Sequence, residues 1–273
     1  MSLEILDERG LVLLGCGKMG SAMLEGWLAG GVAPSSVWIL DPVPSERLQG
    51  LAGQGLHLNT DLPESPAVCI VAVKPQMMGE ALPRIAPLGN GETVFLSIAA
   101  GTPVAAFEAV LGAQTPVVRA MPNTPAAIGR GITALIGNAQ VDEAGMALAE
   151  TLLQAVGQTV RLEDESQMDA VTAVSGSGPA YVFHLIEALA AAGEAEGLSG
   201  ELAMQLAKAT VAGAGALAER AAESPEQLRI NVTSPGGTTA AALEVLMDRE
   251  RGFPVLLREA VAAGAKRSRD LAS

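Results

Sequence analysis

Leu11-Val12-Leu13-Leu14-Gly15-Cys16-Gly17-Lys18-Met19-Gly20 decides how the first half of the chain folds. Four aliphatic residues in a row read as a buried strand, and the Gly-x-Gly-x-x-Gly run that follows reads as a turn opening a helix. Each glycine has its own reason. The first permits the tight turn, the second lets a pyrophosphate approach backbone N–H groups at the positive end of the helix, and the third allows close helix–strand packing. Asp41 ends the next aliphatic run, Val37–Leu40, at about the twenty-residue distance where such units place an acid near a ribose. Strand, turn, helix and acid in that order read as a dinucleotide site more readily than as a tight structural turn.

Outward from this stretch, β-branched runs alternate with helical ones. Leu11–Leu14, Val37–Leu40, Val68–Val73, Val94–Ile98 and Val117–Met121 read as parallel strands, with Met19–Ala29, Ser45–Gly53, Gln76–Ile85 and Val104–Leu111 as the helices between them. Ile132–Ile136 and Thr159–Leu162 flank a helix starting near Asp142 and extend the sheet. From Glu163 the strand signals stop, and Gln167–Val174, Pro179–Glu196, Glu201–Ala222, Thr238–Asp248 and Pro254–Leu271 read as helices. The fold class is therefore α/β, with an N-terminal Rossmann-type doubly wound parallel sheet over 1–162 and an all-α region over 163–273.

Composition narrows the function. The 273 residues suit two domains, and although 49% are hydrophobic, no stretch approaches the ~20 uninterrupted apolar residues of a membrane span. The N-terminus carries Glu4, Asp7 and Glu8 where a secretion signal would be basic, so cytoplasmic residence is expected. A net charge of -13 argues against a nucleic-acid partner, which would require a concentrated basic patch. Cys16 and Cys69 have no spacing that suggests a metal site or redox pair and read as reduced, structural thiols. Aromatic residues are only 3% and alanine crowds the C-terminal half, which suits close helix packing and assembly into something larger than a monomer.

Further candidates lie where strands end. Asp41 favours NADH if it accepts the ribose 2′-hydroxyl, while Ser45 and Arg47 just beyond it could bind the 2′-phosphate of NADPH; alternatively Asp41 only starts a turn with Pro42. Val73-Lys74-Pro75 closes the central strand and places an ammonium at the carboxyl edge, near cofactor phosphates or ribose. Met121-Pro122-Asn123-Thr124-Pro125 ends the last core strand; its prolines stiffen it, and Asn123 and Thr124 offer polar groups to a nicotinamide carboxamide. A rigid structural loop is the competing reading there. In the helical half, Ser175-Gly176-Ser177-Gly178-Pro179-Ala180 breaks one helix and starts another. Ser234-Pro235-Gly236-Gly237-Thr238-Thr239 leads into a helix whose first N–H groups suit a small carboxylate. His184, within an apolar helix, reads as a packing residue, and His57 as a loop residue.

Val232-Thr233-Ser234-Pro235-Gly236-Gly237-Thr238-Thr239 resembles the C-terminal motif of the pyrroline-5-carboxylate reductases. Gly15–Gly20, Ala72–Pro75, Met121–Pro125 and Ser175–Ala180 resemble that family's other motifs in the same order, so the resemblance spans nearly the whole chain. It implies an NADPH- or NADH-dependent reduction of 1-pyrroline-5-carboxylate to L-proline, the last step of proline biosynthesis. It also implies that the helical domain mediates dimerisation, often within a larger ring of dimers such as a decamer. Carried over by position, Ser234, Gly236, Gly237 and Thr238 bind the substrate carboxylate, the Thr239 hydroxyl meets the ring nitrogen, Glu223 is a neighbour, and Asn59 contacts the adenosine end of the cofactor. Gly15, Gly17, Lys18, Met19 and Gly20 hold the dinucleotide. A β-hydroxyacid dehydrogenase would need a catalytic lysine where Val182 stands, and Lys208 and Lys266 lie far from that motif. A non-catalytic dinucleotide sensor would have no use for the carboxylate-suited glycine pair.

Overall fold

The aliphatic run Leu11–Leu14 forms β1, completely buried at the centre of an eight-stranded sheet. The computed structural model describes residues 3–272. Around β1 lie β2 (Val37–Leu40), β3 (His57–Leu58), β4 (Val68–Val71), β5 (Val94–Ser97), β6 (Val117–Met121), β7 (Gly131–Gly137) and β8 (Gly157–Arg161), in the order β3-β2-β1-β4-β5-β6-β7-β8. Strands β1 to β6 are mutually parallel, and the order reverses between β1 and β4. That reversal is the topological switch point at which open α/β sheets bind ligands, beyond the carboxyl ends of the strands.

Parallel pairing stops at β7, which runs antiparallel to β6, with β8 parallel to β7. The connection 122–130 contains only a 3₁₀ turn, Thr124–Ile128, and is shorter than the dozen or more residues a parallel crossover needs. The two late strands thus extend the sheet, as expected, in the reversed direction.

The N-terminal helices are α1 (Glu4–Arg9), α2 (Lys18–Ala29), α3 (Glu46–Ala52), α4 (Met78–Ala81), α5 (Val104–Leu111), α6 (Glu143–Gln154) and α7 (Met168–Val171). Ser45 and Asp142 cap α3 and α6, accepting from Leu48 N and Gly145 N. The expected helix Gln76–Ile85 is broken into 3₁₀ turns on either side of α4, with Pro75 and Pro83 in those turns. α1 has no counterpart in the sequence reading; its buried anchor is Leu6. Two apolar layers sandwich the sheet. One centres on Met23, Leu24, Trp27 and Leu152, where the Trp27 indole donates to the Leu152 carbonyl at 2.8 Å. The other centres on Phe95, Phe107, Ile85 and Leu82.

The change from strand to helix falls after Arg161. The compact units, however, divide between Gly176 and Ser177, and the end of the chain from Gly264 belongs with the first unit. Residues just beyond the last strand are held to the sheet unit by the buried Met168 and by the Arg119–Glu165 ion pair. At the chain's end, the Ser268 hydroxyl donates to Asp169 at 2.6 Å.

The second unit, Ser177–Ala263, contains α8 (Gly178–Ala195), α9 (Gly200–Arg220), α10 (Pro225–Asn231), α11 (Thr238–Leu246) and the beginning of α12 (Phe253–Ala272). Its buried cluster consists of three alanines, Ala190, Ala203 and Ala207, flanked by Ile186 and Met204. Phe183, Leu206, Leu217 and Val245 are each about half exposed, so this unit leaves apolar helix faces uncovered. Among the described residues no helix is long and apolar enough to cross a membrane.

Candidate active site

The turn after β1 displays the three glycine roles separately. Gly15 has φ +86°, and an added Cβ there would lie 2.8 Å from Val73 Cγ1 and 3.2 Å from Ala72 backbone. Gly20 would bring a Cβ to 2.8 Å from the Gly15 carbonyl, so helix and turn touch there. At Gly17 an added Cβ would meet nothing within 4 Å. Gly17 is the N-cap of α2 and has no side chain to accept from the first-turn N–H groups. The result is an open, positively polarised cradle above the start of a 12-residue helix. Lys18 is exposed on its first turn, and half-buried Met19 packs into the core beneath.

Asp41 holds this turn from the next strand. One carboxylate oxygen accepts from Cys16 N at 2.7 Å and the other from Val43 N at 2.8 Å, an Asx turn of the kind read as the alternative to ribose binding. Asn59, in the left-handed region at φ 53°, pairs its side-chain amide with the Asp41 backbone, accepting at 3.0 Å and donating at 2.8 Å. Both residues thus have polar atoms committed to bracing the end of β2. Beyond them, Ser45 is occupied as a cap, and Arg47 makes a two-pronged pair with Glu25 at 2.7 and 3.0 Å. That pairing holds the Glu25 carboxyl below its usual range.

Val73 lies against Gly15, and Lys74 follows, exposed and without an ion pair among the described residues, with Pro75 beginning a 3₁₀ turn. After β6, Asn123 proves to be a structural tie: its Oδ1 accepts from Ile132 N at 3.0 Å and its Nδ2 donates to Ser175 Oγ at 3.2 Å. Thr124 is exposed beside it, and the 3₁₀ turn that follows packs on α2. Cys16 and Cys69 are buried and free. Burial pushes both thiols up, away from the thiolate form that reacts. The Ser21 hydroxyl, which the sequence reading passed over, donates to the Cys16 carbonyl at 3.1 Å and braces the turn.

In the helical unit, Ser234-Pro235-Gly236-Gly237 forms a turn closed by Gly237 N donating to Ser234 O at 3.0 Å, with Gly236 at φ 70°. Proline second and a left-handed glycine third are the residues that such a turn demands. Gly237 is the N-cap of α11 and again offers no side-chain acceptor, so the N–H groups of the first turn, beginning at Thr238, are left for an anion. Thr239 is half-buried on that turn. The Thr233 hydroxyl donates to the Arg229 carbonyl at 2.6 Å and anchors the segment to α10. Glu223 is exposed just before the Ser224 cap of α10, and no hydrogen bond joins it to the turn. His184 departs from expectation: its side chain is 83% exposed, with Nδ1 3.2 Å from Glu187.

Two uncapped helix starts, one in a Rossmann glycine turn and one in a Pro-Gly-Gly turn, agree with what the chain is similar to. Residues 11–101 match the family model for NADP oxidoreductase, coenzyme F420-dependent, and residues 165–271 match that for pyrroline-5-carboxylate reductase dimerisation. The pyrroline-5-carboxylate reductase of Pseudomonas aeruginosa is 41% identical over 266 residues, 96% of each chain. The solved structure of a pyrroline-5-carboxylate reductase from Coxiella burnetii superposes with a TM-score of 0.90 at 33% identity, covering 97% of this chain and 99% of that one. That of Plasmodium falciparum pyrroline carboxylate reductase with NADP bound gives 0.82 at 29% identity, over 97% and 98%. A likeness this even from end to end, with both turns in place, means that the chain belongs to the pyrroline-5-carboxylate reductase family.

Proposed function

We propose that this chain reduces 1-pyrroline-5-carboxylate to L-proline with NADPH, as the last step of proline biosynthesis in the cytoplasm, and that NADH serves as a lesser donor. The observation that carries the reading is the Gly15–Gly20 cradle, open only at Gly17, in a chain 41% identical to a named reductase of this substrate. The division of labour is residues 1–162 for cofactor and 163–273 for substrate and dimerisation. The dimer is the unit from which a larger ring, such as a decamer of five dimers, is built.

The first N–H groups of α2 would hold the cofactor diphosphate, with Gly17 leaving room and Lys18 and Lys74 supplying positive charge. Thr124 and the remaining N–H of Asn123 meet the carboxamide, beside Val73 and Pro75. Asp41 and Asn59 keep the adenosine end in shape chiefly by holding the turn. Ser234, Gly236, Gly237 and Thr238 hold the substrate carboxylate on the start of α11, with Glu223 a more distant neighbour. NADPH, when bound, supplies the hydride that the ring carbon of the imine accepts. The protonated imine N–H donates to the Thr239 hydroxyl oxygen, which orients the ring and stabilises the iminium. Positioning therefore accounts for most of the rate.

The test is oxidation of NADPH and of NADH with 1-pyrroline-5-carboxylate, followed by the absorbance of the reduced nicotinamide, with proline and oxidised cofactor at high pH as the reverse check. Turnover with the imine, faster with NADPH, is expected. Tight NADPH binding without turnover on this or any cyclic imine refutes the reading.

A further inference from the structure

Arg119 is an arginine in the middle of a buried strand, outside every motif that points to a function. It is 6% exposed and stands level with Ser97 of β5, which is level with Val71 of β4 and, through it, with Leu14 of β1. This is the last rung that β1, β4 and β5 share with β6 before their carboxyl-edge loops. Its guanidinium Nη1 donates to Glu165 Oε1 at 2.7 Å, and the same oxygen accepts from Val104 N at 2.9 Å. Val104 begins α5, whose own N-cap, Pro103, has no side-chain acceptor. Glu165 therefore caps α5 from 61 residues away.

One carboxylate oxygen thus ties together the ends of two loops. The loop 98–103 arrives at α5 just where Glu165 accepts; within it Gly101 has φ +73° and lies against Leu271. The loop that begins at Pro122 leaves β6 within three residues of Arg119. Both belong to strands on the β4 side of the switch point, opposite the β2–β3 side that carries Asp41 and Asn59. A dinucleotide bound across such a sheet lays its two halves on the two sides. With the adenosine end over β2, the nicotinamide end falls to the loops after β5 and β6.

We infer that Arg119 and Glu165 are positioning residues that fix the two loops flanking the nicotinamide, and so set the hydride-transfer geometry without touching cofactor or substrate. An apolar pair could join strand to helix without desolvating two charges. The ion pair adds direction, because short charge-assisted bonds fix where each loop ends. This inference rests on the cofactor reading above.

The experiment compares full-length Glu165→Ala, Glu165→Gln and Arg119→Met with the unsubstituted protein. Four quantities are measured: thermal midpoint, NADPH Kd, kcat and KM for the imine, and the emission of the bound reduced nicotinamide. Glu165→Ala is expected to keep NADPH Kd within about threefold, since the diphosphate anchors are untouched, and to lose kcat on the order of 100-fold, the effect of a small misplacement. Its bound-nicotinamide emission falls. Glu165→Gln, whose amide oxygen still accepts from both donors, recovers most of kcat and emission. Arg119→Met, which leaves the α5 cap in place, falls between them and serves if Glu165→Ala does not fold. A lowered midpoint with kcat and emission unchanged, or a Gln variant as impaired as Ala, overturns the inference. If the unsubstituted protein binds NADPH but does not turn over the imine, the functional reading fails, and the emission comparison still decides the role of the pair.

Discussion

Gly17→Val separates binding from folding at the cofactor turn. The backbone at Gly17 is at φ -71° and ψ -161°, an extended conformation that a β-branched residue adopts readily. With nothing within 4 Å of an added Cβ, the free protein gains no clash. Removing a glycine contributes ~0.4–1 kcal/mol through the unfolded chain, and a poorer N-cap costs about the same. Stability should therefore stay within about 1 kcal/mol of the parent. Binding is another matter, because the valine methyls fill the space through which a diphosphate reaches the N–H groups of α2. Losing two charge-assisted hydrogen bonds at ~1.5–3 kcal/mol each raises Kd by about 10²–10⁴-fold. The assay is titration of intrinsic or cofactor fluorescence with NADPH, alongside a thermal melt. Gly20→Ala is the converse control: its Cβ would press to 2.8 Å on the Gly15 carbonyl, so stability drops by roughly 1–3 kcal/mol. A folded Gly17→Val that binds NADPH as tightly as the parent would falsify the cradle.

Asp41→Ala should weaken NADH and NADPH alike, by roughly tenfold or more, because it frees the Cys16 N–H that the carboxylate holds at 2.7 Å; a loss confined to NADH would restore the ribose reading. Thr239→Ala should lower kcat with little change in NADPH Kd, and a kcat equal to the parent's removes Thr239 from the chemistry. Arg161 hydrogen-bonds Glu143 and Glu150 and holds both below the ordinary carboxylate value of 4.5. Their stabilisation is thus fully present above that pH and is lost as pH falls through the lowered values; Arg161→Met should flatten the acid limb of a melting-temperature profile, and an unchanged limb refutes the linkage. Leu206→Glu with Leu217→Glu, at side chains 48% and 55% exposed on α9, should shift the assembly toward smaller species in sedimentation velocity. An unshifted profile would mean that α9 does not face another copy.

The first half of the chain was legible because its signals are local. Val37–Leu40, Val104–Leu111 and Val117–Met121 match the observed elements residue for residue, since aliphatic runs bounded by breakers leave the chain little alternative. The sequence reads His57 as a loop residue, whereas it lies in β3; a two-residue strand has no period to read, and the His57 ring stacks on Trp38 with centroids 4.1 Å apart. The roles of Asp41, Asn59 and Asn123 blurred for a different reason. Each residue type suits either a ligand or a backbone tie, and only the fold brings Cys16 N, the Asp41 backbone and Ile132 N within their reach.

In the helical half, element positions were legible and partners were not. Helical period and caps place α8, α9 and α11 within a residue or two, while α10 has no such signal because Pro225–Asn231, seven residues or about two turns, is too short to show a period. What periodicity cannot supply is which apolar face meets which. α8 and α9 meet through alanines, the smallest side chains that can be buried, so that contact removes little apolar surface from water. The larger residues, such as Phe183 and Leu217, stay outside it. A sequence that placed its large side chains between its own helices would describe a self-sufficient bundle. This one turns them outward from an alanine seam, the pattern expected of a region that matches the pyrroline-5-carboxylate reductase dimerisation model.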